Sequence, residues 1–129
     1  MRVSIIIPAY NEETRIKETL DTYLSYFSAA GRDIEFIVMI EGHDKTLEIV
    51  REFQKTNNNI TYEYSTMRLG KGGAIIRGFK LAHGNLIGFV DADASTRPEA
   101  FNALIDAIGD YDGIIASRKV RGAKQIKKE

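Results

Sequence analysis

The 129 residues predict an α/β fold, a mostly parallel sheet with helices packed on both faces. Three observations predict it. Strand-like and helix-like segments alternate from end to end. Residues 3–7, 34–40 and 86–90 are apolar almost throughout, as strands covered on both faces are. The segments between them place apolar residues at helical spacing, and repeated strand–helix–strand units assemble in this way. No linker, repeat or low-complexity stretch breaks the pattern, and the length is that of one domain.

The first strand, Val3-Ser4-Ile5-Ile6-Ile7, is a β-branched run closed by Pro8. Asn11 is placed to cap the helix that follows, with Glu12 and Glu13 in its first turn, where negative charge suits the dipole. Ile16, Leu20, Tyr23, Leu24 and Phe27 fall on one helical face, and Gly31 supplies the stop. Residues 34–40 form a second buried strand. Asp44 opens a second helix, whose Leu47, Val50 and Phe53 face inward. Residues 60–65 alternate in polarity, the mark of a half-exposed edge strand. A glycine-opened helix covers 70–83, and residues 86–90 are the strand that delivers Asp91. Thr96-Arg97-Pro98-Glu99 is a capping box with proline in the first turn, and its helix buries Phe101, Leu104, Ile105 and Ile108. A final strand runs over 111–117.

Composition narrows the function classes. Hydrophobic content of 43% and charged content of 28% fit a soluble globular protein. The absence of cysteine excludes disulfides and thiolate metal sites, and fits a reducing, cytoplasmic setting. No apolar stretch is long enough to span a bilayer, and Pro8 and Asn11 break any signal-peptide layout. A net charge of zero conceals an asymmetry. Arg118, Lys119, Arg121, Lys124, Lys127 and Lys128 are six of the 18 basic residues, so residues 1–117 carry a net −5. That charge argues against a nucleic-acid partner. The basic tail is either simply solvated or a contact for phosphates or an anionic membrane surface.

Asp91-Ala92-Asp93 carries the most chemical information. It follows Leu86-Ile87-Gly88-Phe89-Val90, so two carboxylates leave the carboxyl end of a buried strand, where open α/β sheets bind ligands. Acids one residue apart repel unless a cation or donor lies between them, and a hard divalent ion carrying phosphate oxygens satisfies both. The competing reading is a polar turn ahead of the next helix. In a parallel sheet, Pro8-Ala9-Tyr10-Asn11-Glu12, Glu41-Gly42-His43-Asp44, Arg68-Leu69-Gly70-Lys71-Gly72-Gly73 and Asp91-Ala92-Asp93 gather on one edge. The glycine-rich turn suits an anionic phosphate or ribose, with Lys71 and Arg68 as added charge, or serves only a tight turn and close helix packing. Glu41 accepts from ribose hydroxyls or a base N–H, or caps the helix from Asp44. His43 and His83 lack partners at metal-ligand spacing. No nucleophilic triad surrounds Ser4, Ser65 or Ser117.

Val3-Ser4-Ile5-Ile6-Ile7-Pro8-Ala9-Tyr10-Asn11-Glu12 resembles the opening of family 2 glycosyltransferases with the A-type, Rossmann-like nucleotide-sugar fold. Gly70-Lys71-Gly72-Gly73-Ala74, Gly78, Ala82-His83-Gly84 and Val90-Asp91-Ala92-Asp93 continue the match in order, over nearly all of residues 3–118. The branch it most resembles is the dolichyl-phosphate (polyprenyl-phosphate) mannose or glucose synthases. The resemblance implies a nucleotide-sugar-binding domain over 1–118, followed by a basic tail over 119–129 that starts an acceptor region. It implies that Pro8, Tyr10 and Glu12 line the nucleotide pocket, and that Glu41 stands where the family has an Asp on the nucleoside. Lys71 and Gly72 lie beside base or ribose. Asp91 faces ribose and diphosphate, and Asp93 holds Mg²⁺ or Mn²⁺, which makes these two the catalytic pair. Ser95 sits where related synthases place Gln as a further metal contact. The loop Glu41-Gly42-His43-Asp44-Lys45-Thr46 is a shortened form of the family's Asp-Gly-Ser-x-Asp-x-Thr. The chain ends at Glu129, where members continue into an acceptor-binding half.

The implied reaction is inverting transfer of a hexose from UDP-glucose or GDP-mannose to an acceptor. A polyprenyl phosphate arrives already ionised, with a second pKa of about 6, so it needs no base. Three alternatives stay open: a nucleotide-sugar-binding half without turnover, a phosphatase built on Asp-x-Asp, and a dinucleotide binder in which Ile75 replaces the third glycine. A bare sheet flank would invite a homodimer.

Overall fold

The computed structural model of the chain describes residues 2–108 and the backbone of 113–116 and 124–127. The elements are β1 (Val3–Tyr10), α1 (Ile16–Ala30), β2 (Ile34–Glu41), α2 (Thr46–Thr56), β3 (Ile60–Ser65), α3 (Gly70–Leu81), β4 (Leu86–Phe89), α4 (Pro98–Ile108), β5 (Gly113–Ala116) and β6 (Lys124–Lys127). They build one sheet in the order β3-β2-β1-β4-β5-β6, parallel from β3 to β5 and antiparallel at β6. The expected α/β architecture is what forms. Residues 111, 112 and 117 of the expected last strand lie outside the described residues. So do the basic positions 118, 119, 121 and 128, whereas the backbone of Lys124–Lys127 pairs with β5 as a strand that no sequence signal announced.

Strand alternation divides the core into two layers. Val3, Ile5, Ile7, Phe36, Val38 and Ile40 face α1, α2 and α4, meeting Leu20, Tyr23, Phe27, Val50, Phe101 and Ile105. Ile6, Ile37 and Met39 face the opposite way, toward Ala74 of α3, with Phe79, Ile87 and Phe89 packed around them. Every inward residue expected on α1, α2 and α4 is buried or packed against the core. Helix α3 lies close on its sheet face because Gly78 has no side chain. A Cβ there would stand 2.7 Å from Ile6 Cγ2.

Two local expectations need correction. Asn11 does not cap α1, which starts only at Ile16 with Arg15 ahead of it and no side-chain cap. Asn11 instead takes a left-handed backbone (φ 50°) and its Oδ1 accepts from the His43 N–H at 3.1 Å. The turn between is closed by its own backbone, with Arg15 and Ile16 N–H both donating to Glu12 O. Tertiary pairing with the neighbouring loop thus took the side chain that local rules assign to the helix. Nor does Pro8 close β1, which continues to Tyr10 beside β2.

At the opposite edge of the sheet, the buried Glu35 ties three segments together. Its Oε2 accepts from Ser4 Oγ at 2.5 Å and from the His83 N–H at 2.6 Å, while His83 Nδ1 lies 3.3 Å from Oε1. Burial alone would push this carboxyl up. The bonds from Ser4 and His83 outweigh it and hold the group below its ordinary value. A lowered carboxyl contributes stability above its unfolded pKa and loses it as pH falls through the folded one. Glu35→Gln should therefore reduce stability at neutral pH and flatten the acid limb, read as urea midpoints from about pH 6 to about pH 3. Gly78→Ala should lower stability by about 1–3 kcal/mol in the same assay, because β1 cannot recede from the added methyl.

Candidate functional site

The carboxyl edge of the sheet splits between β1 and β4. Residues of β1 bond alternately to the two neighbours. The Val3 N–H donates to Asp33 O and the Asn11 N–H to Glu41 O on the β2 side, whereas Ile6 O accepts from the Val90 N–H on the β4 side. Pro8 shares the parity of Ile6 and has no N–H to offer. The β1–β4 register accordingly ends at Ile6 opposite Phe89, while β1–β2 pairing runs on to Tyr10 opposite Glu41. Between the diverging chains lies a cleft of about 290 Å³. It is lined from all four loops expected at this edge: Pro8, Tyr10, Glu12, Glu41, Arg68, Lys71, Asp91 and Asp93 are among its walls.

Asp91 and Asp93 reach the cleft because their neighbours are held away from it. Val90 and Ala92 are buried in the layer under α1, and the Thr19 hydroxyl on α1 donates to Ala92 O at 2.7 Å. One turn further along α1, the Tyr23 hydroxyl donates to Thr96 O at 2.7 Å, and burial raises its pKa. Alternation then leaves the two carboxylates on the other side of the backbone. Asp93 Oδ1 accepts from the Ser95 N–H at 3.0 Å, closing a turn through Ala94 at φ 60°. Asp91 Oδ1 lies 2.7 Å from Lys71 Nζ.

Across the cleft, the buried Glu41 holds the loop that leads into α3. Its Oε2 accepts from the Leu69 N–H at 3.1 Å and its Oε1 pairs with Arg68 Nε at 3.3 Å. The Arg68 guanidinium carbon sits 3.6 Å over the Tyr10 ring. Glu41 therefore does not cap α2. Lys45 holds the cap position without a side-chain cap bond, and Asp44 just before it accepts from the Thr46 N–H and hydroxyl; burial would raise the Asp44 carboxyl, but these bonds outweigh it and lower its pKa. The β1–α1 and β2–α2 loops are cross-linked by Glu12 N–H to Thr46 Oγ1, Glu13 N–H to Asp44 Oδ2 and Lys45 N–H to Glu13 Oε1. Gly42 (φ 104°) permits this closeness, since a Cβ would collide with the Asn11 side chain. Glu12 Oε1 is buried 2.6 Å from Arg15 Nη2.

Seven of the nine site residues expected from sequence thus line one cleft. Gly72 and Ser95 do not: Gly72 is an exposed position on α3, and Ser95 is exposed beyond the turn. Thr19 was missed, although a threonine between Ile16 and Leu20 on an apolar helix face was a legible signal. Among the described residues, no cluster of three or more His, Cys, Asp or Glu is arranged to hold a metal ion. Asp91 and Asp93 supply two hard oxygen donors, which suits ions that complete their shell with phosphate oxygens and water. No described helix is long and apolar enough to cross a membrane.

The family model described as glycosyl transferase family 2 matches residues 4–128. The chain belongs to that family. Glycosyltransferase AglD of Haloferax volcanii is 33% identical over 125 residues, covering 92% of this chain and 20% of that protein. The dolichol-phosphate mannosyltransferase of Pyrococcus furiosus is 34% identical over 128 residues, covering 96% of this chain and 35% of its own length. Among solved structures, a Pyrobaculum calidifontis mannosyltransferase in complex with GDP-Man and Mn²⁺ superposes with a TM-score of 0.70. It shares 27% identity over 84% of this chain and 32% of that one. The chain therefore spans about a third or less of the length of these relatives.

Thr19→Val keeps the shape of the side chain and removes the hydroxyl that fixes Ala92 O. Urea denaturation should show a loss of about 1 kcal/mol. An unchanged urea midpoint would mean that the carboxylate loop holds its place without α1.

Proposed function

We propose that the cleft binds a nucleotide diphosphate sugar together with Mg²⁺ or Mn²⁺, as the donor site of a glycosyltransferase. The observation that carries this reading is the convergence of Asp91, Asp93, Lys71, Glu41 and Tyr10 on one cleft at the point where β1 and β4 separate. Family membership and the GDP-Man and Mn²⁺ held by a structural relative support it over a phosphatase or a dinucleotide binder.

In this reading Tyr10 and Pro8 wall the nucleoside end. Glu41 takes ribose hydroxyls or a base N–H with the carboxylate that now anchors Arg68 and Leu69, and Glu12 bounds the floor beside them. Lys71, in the first turn of α3, offers an ammonium to the diphosphate, and Gly72 next to it leaves its backbone accessible. Asp91 turns toward ribose and diphosphate, and Asp93 holds the ion, with Ser95 keeping the Asp93 carboxylate in place through its N–H. A bound divalent ion supplies neutralising charge for the departing diphosphate. The chemistry is inverting transfer of a hexose, from UDP-glucose or GDP-mannose, to a polyprenyl phosphate presented at a membrane surface. Relatives named dolichol-phosphate mannosyltransferase and dolichyl-phosphate beta-glucosyltransferase favour that acceptor. Such a phosphate is its own nucleophile and asks no carboxylate of the cleft to act as a base.

Calorimetric titration with GDP and with UDP, each with and without Mn²⁺, tests the donor site directly. Binding should require Mn²⁺, and Asp93→Ala should weaken it by about tenfold or more. Binding that proceeds equally well without metal would overturn the role given to Asp93. Intact donor binding with no hexose transfer to a short polyprenyl phosphate would leave a binding domain in place of an enzyme.

A further inference from the structure

The Lys71–Asp91 pair lines the cleft and joins the two segments that a diphosphate would touch in this reading. Lys71 Nζ is 2.7 Å from Asp91 Oδ1, and the Asp91 side chain is only 18% exposed. The ammonium also lies 5.8 Å over the Phe89 ring, on the strand that delivers Asp91. Lys71 belongs to the first turn of α3, where no acidic residue opposes it and the helix dipole is positive. The other cation in the cleft, Arg68, is already held by Glu41 and stacked on Tyr10. Asp91 is therefore paired with Lys71, and an incoming anion would offer the ammonium an alternative partner.

We infer that Lys71 is an exchangeable counter-ion that couples metal binding to diphosphate binding. With no diphosphate present, the ammonium occupies Asp91 Oδ1, and a divalent cation approaching that carboxylate meets a like charge at close range. A diphosphate changes the balance, because its oxygens accept the ammonium and release the carboxylate oxygen. Lys71 thus weakens the affinity for metal alone and strengthens the affinity for metal with nucleotide. This coupling is reciprocal, since whatever the nucleotide does for the metal the metal does for the nucleotide. The inference rests on the nucleotide-sugar reading of the cleft and adds a positioning role for Lys71 beyond simple contact with phosphate.

Paramagnetic resonance of free Mn²⁺, corrected by protein-free titrations for the Mn²⁺ that each nucleotide binds by itself, measures the coupling without any turnover. Wild type, Lys71→Gln and Lys71→Arg would be titrated with MnCl₂ alone, then in the presence of GDP or UDP. Lys71→Gln should bind Mn²⁺ alone more tightly, on the order of fivefold. The gain in Mn²⁺ affinity conferred by nucleotide should shrink by a similar factor. Lys71→Arg, which keeps the charge, should resemble wild type. Lys71 is half exposed on a helix surface, and a melting curve for each variant verifies the fold. Unchanged or weaker binding of Mn²⁺ alone by Lys71→Gln overturns the inference, as does an undiminished nucleotide effect in that variant. A wild type in which neither nucleotide raises Mn²⁺ affinity overturns the donor site itself. A wild type that shows the effect while Lys71→Gln matches it leaves the donor site standing and removes only Lys71's role.

Discussion

The site depends on one missing hydrogen-bond donor. Pro8 lies on the parity of β1 that bonds toward β4, and without an N–H it cannot extend that ladder past Ile6 and Phe89. Its other side is untouched, so β1 stays with β2 as far as Tyr10. The order β3-β2-β1-β4 places this split where successive strands stop being added on one side of β1 and start on the other. Crevices in open α/β sheets form at such a reversal. Here the reversal is widened by a backbone that cannot pair across it.

Once the edge is split, its walls must be kept from wandering, and the chain does this with short polar cross-links. Asn11, Glu13, Asp44 and Thr46 hold the first two loops to each other, while Glu41 holds the third through Leu69 and Arg68. Thr19 and Tyr23 hold the fourth from below. Each bond is modest in net free energy, about 1 kcal/mol. Their joint effect is geometric, since Glu41 and the loop that carries Asp91 and Asp93 are each tied to a neighbouring segment. Preorganisation of this kind reduces the ordering cost of binding a flexible ligand.

These cross-links also mark the boundary of what the sequence discloses. Continuous apolar strands, helical spacing and the position of Asp91-Ala92-Asp93 after a buried strand are local signals, and they led to the architecture and to seven residues that line one cleft. Asn11 shows where local reasoning fails: a residue suited to cap a helix was captured by the His43 N–H, 32 positions away in sequence. The same holds for Glu41, whose partners lie on the loop before α3, and for Thr19, whose partner is 73 residues on. Nothing near any of these positions announces the partner. Lys71 and Asp91 were both singled out from sequence, but their 2.7 Å contact follows only from α3 and β4 sharing a sheet face, which periodicity alone does not specify. Strand β6 is a further case, because Lys124–Lys127 is too polar to signal a strand and takes its shape from pairing with β5.

Charge sets the terms on which an anion enters this cleft. Glu12, Glu41, Asp91 and Asp93 line it, against Arg68 and Lys71. Arg68 is paired with Glu41, Lys71 with Asp91 and, from just outside the lining, Arg15 with Glu12, so four carboxylates face three cations before any ligand arrives. A bare diphosphate would add repulsion in a confined space where the screening of bulk water is reduced. A divalent cation reverses that balance by attracting the carboxylates and the phosphate oxygens at once. The helix dipole of α3 and the Lys71 ammonium assist, but the dipole's end charge is only about half a unit, less than that of one carboxylate. The acidic lining that disfavours free nucleotide is therefore the feature that favours a metal–nucleotide complex. It ties the proposed use of Mg²⁺ or Mn²⁺ to the charge of the whole cleft, with Asp91 and Asp93 as the residues proposed to draw the ion in.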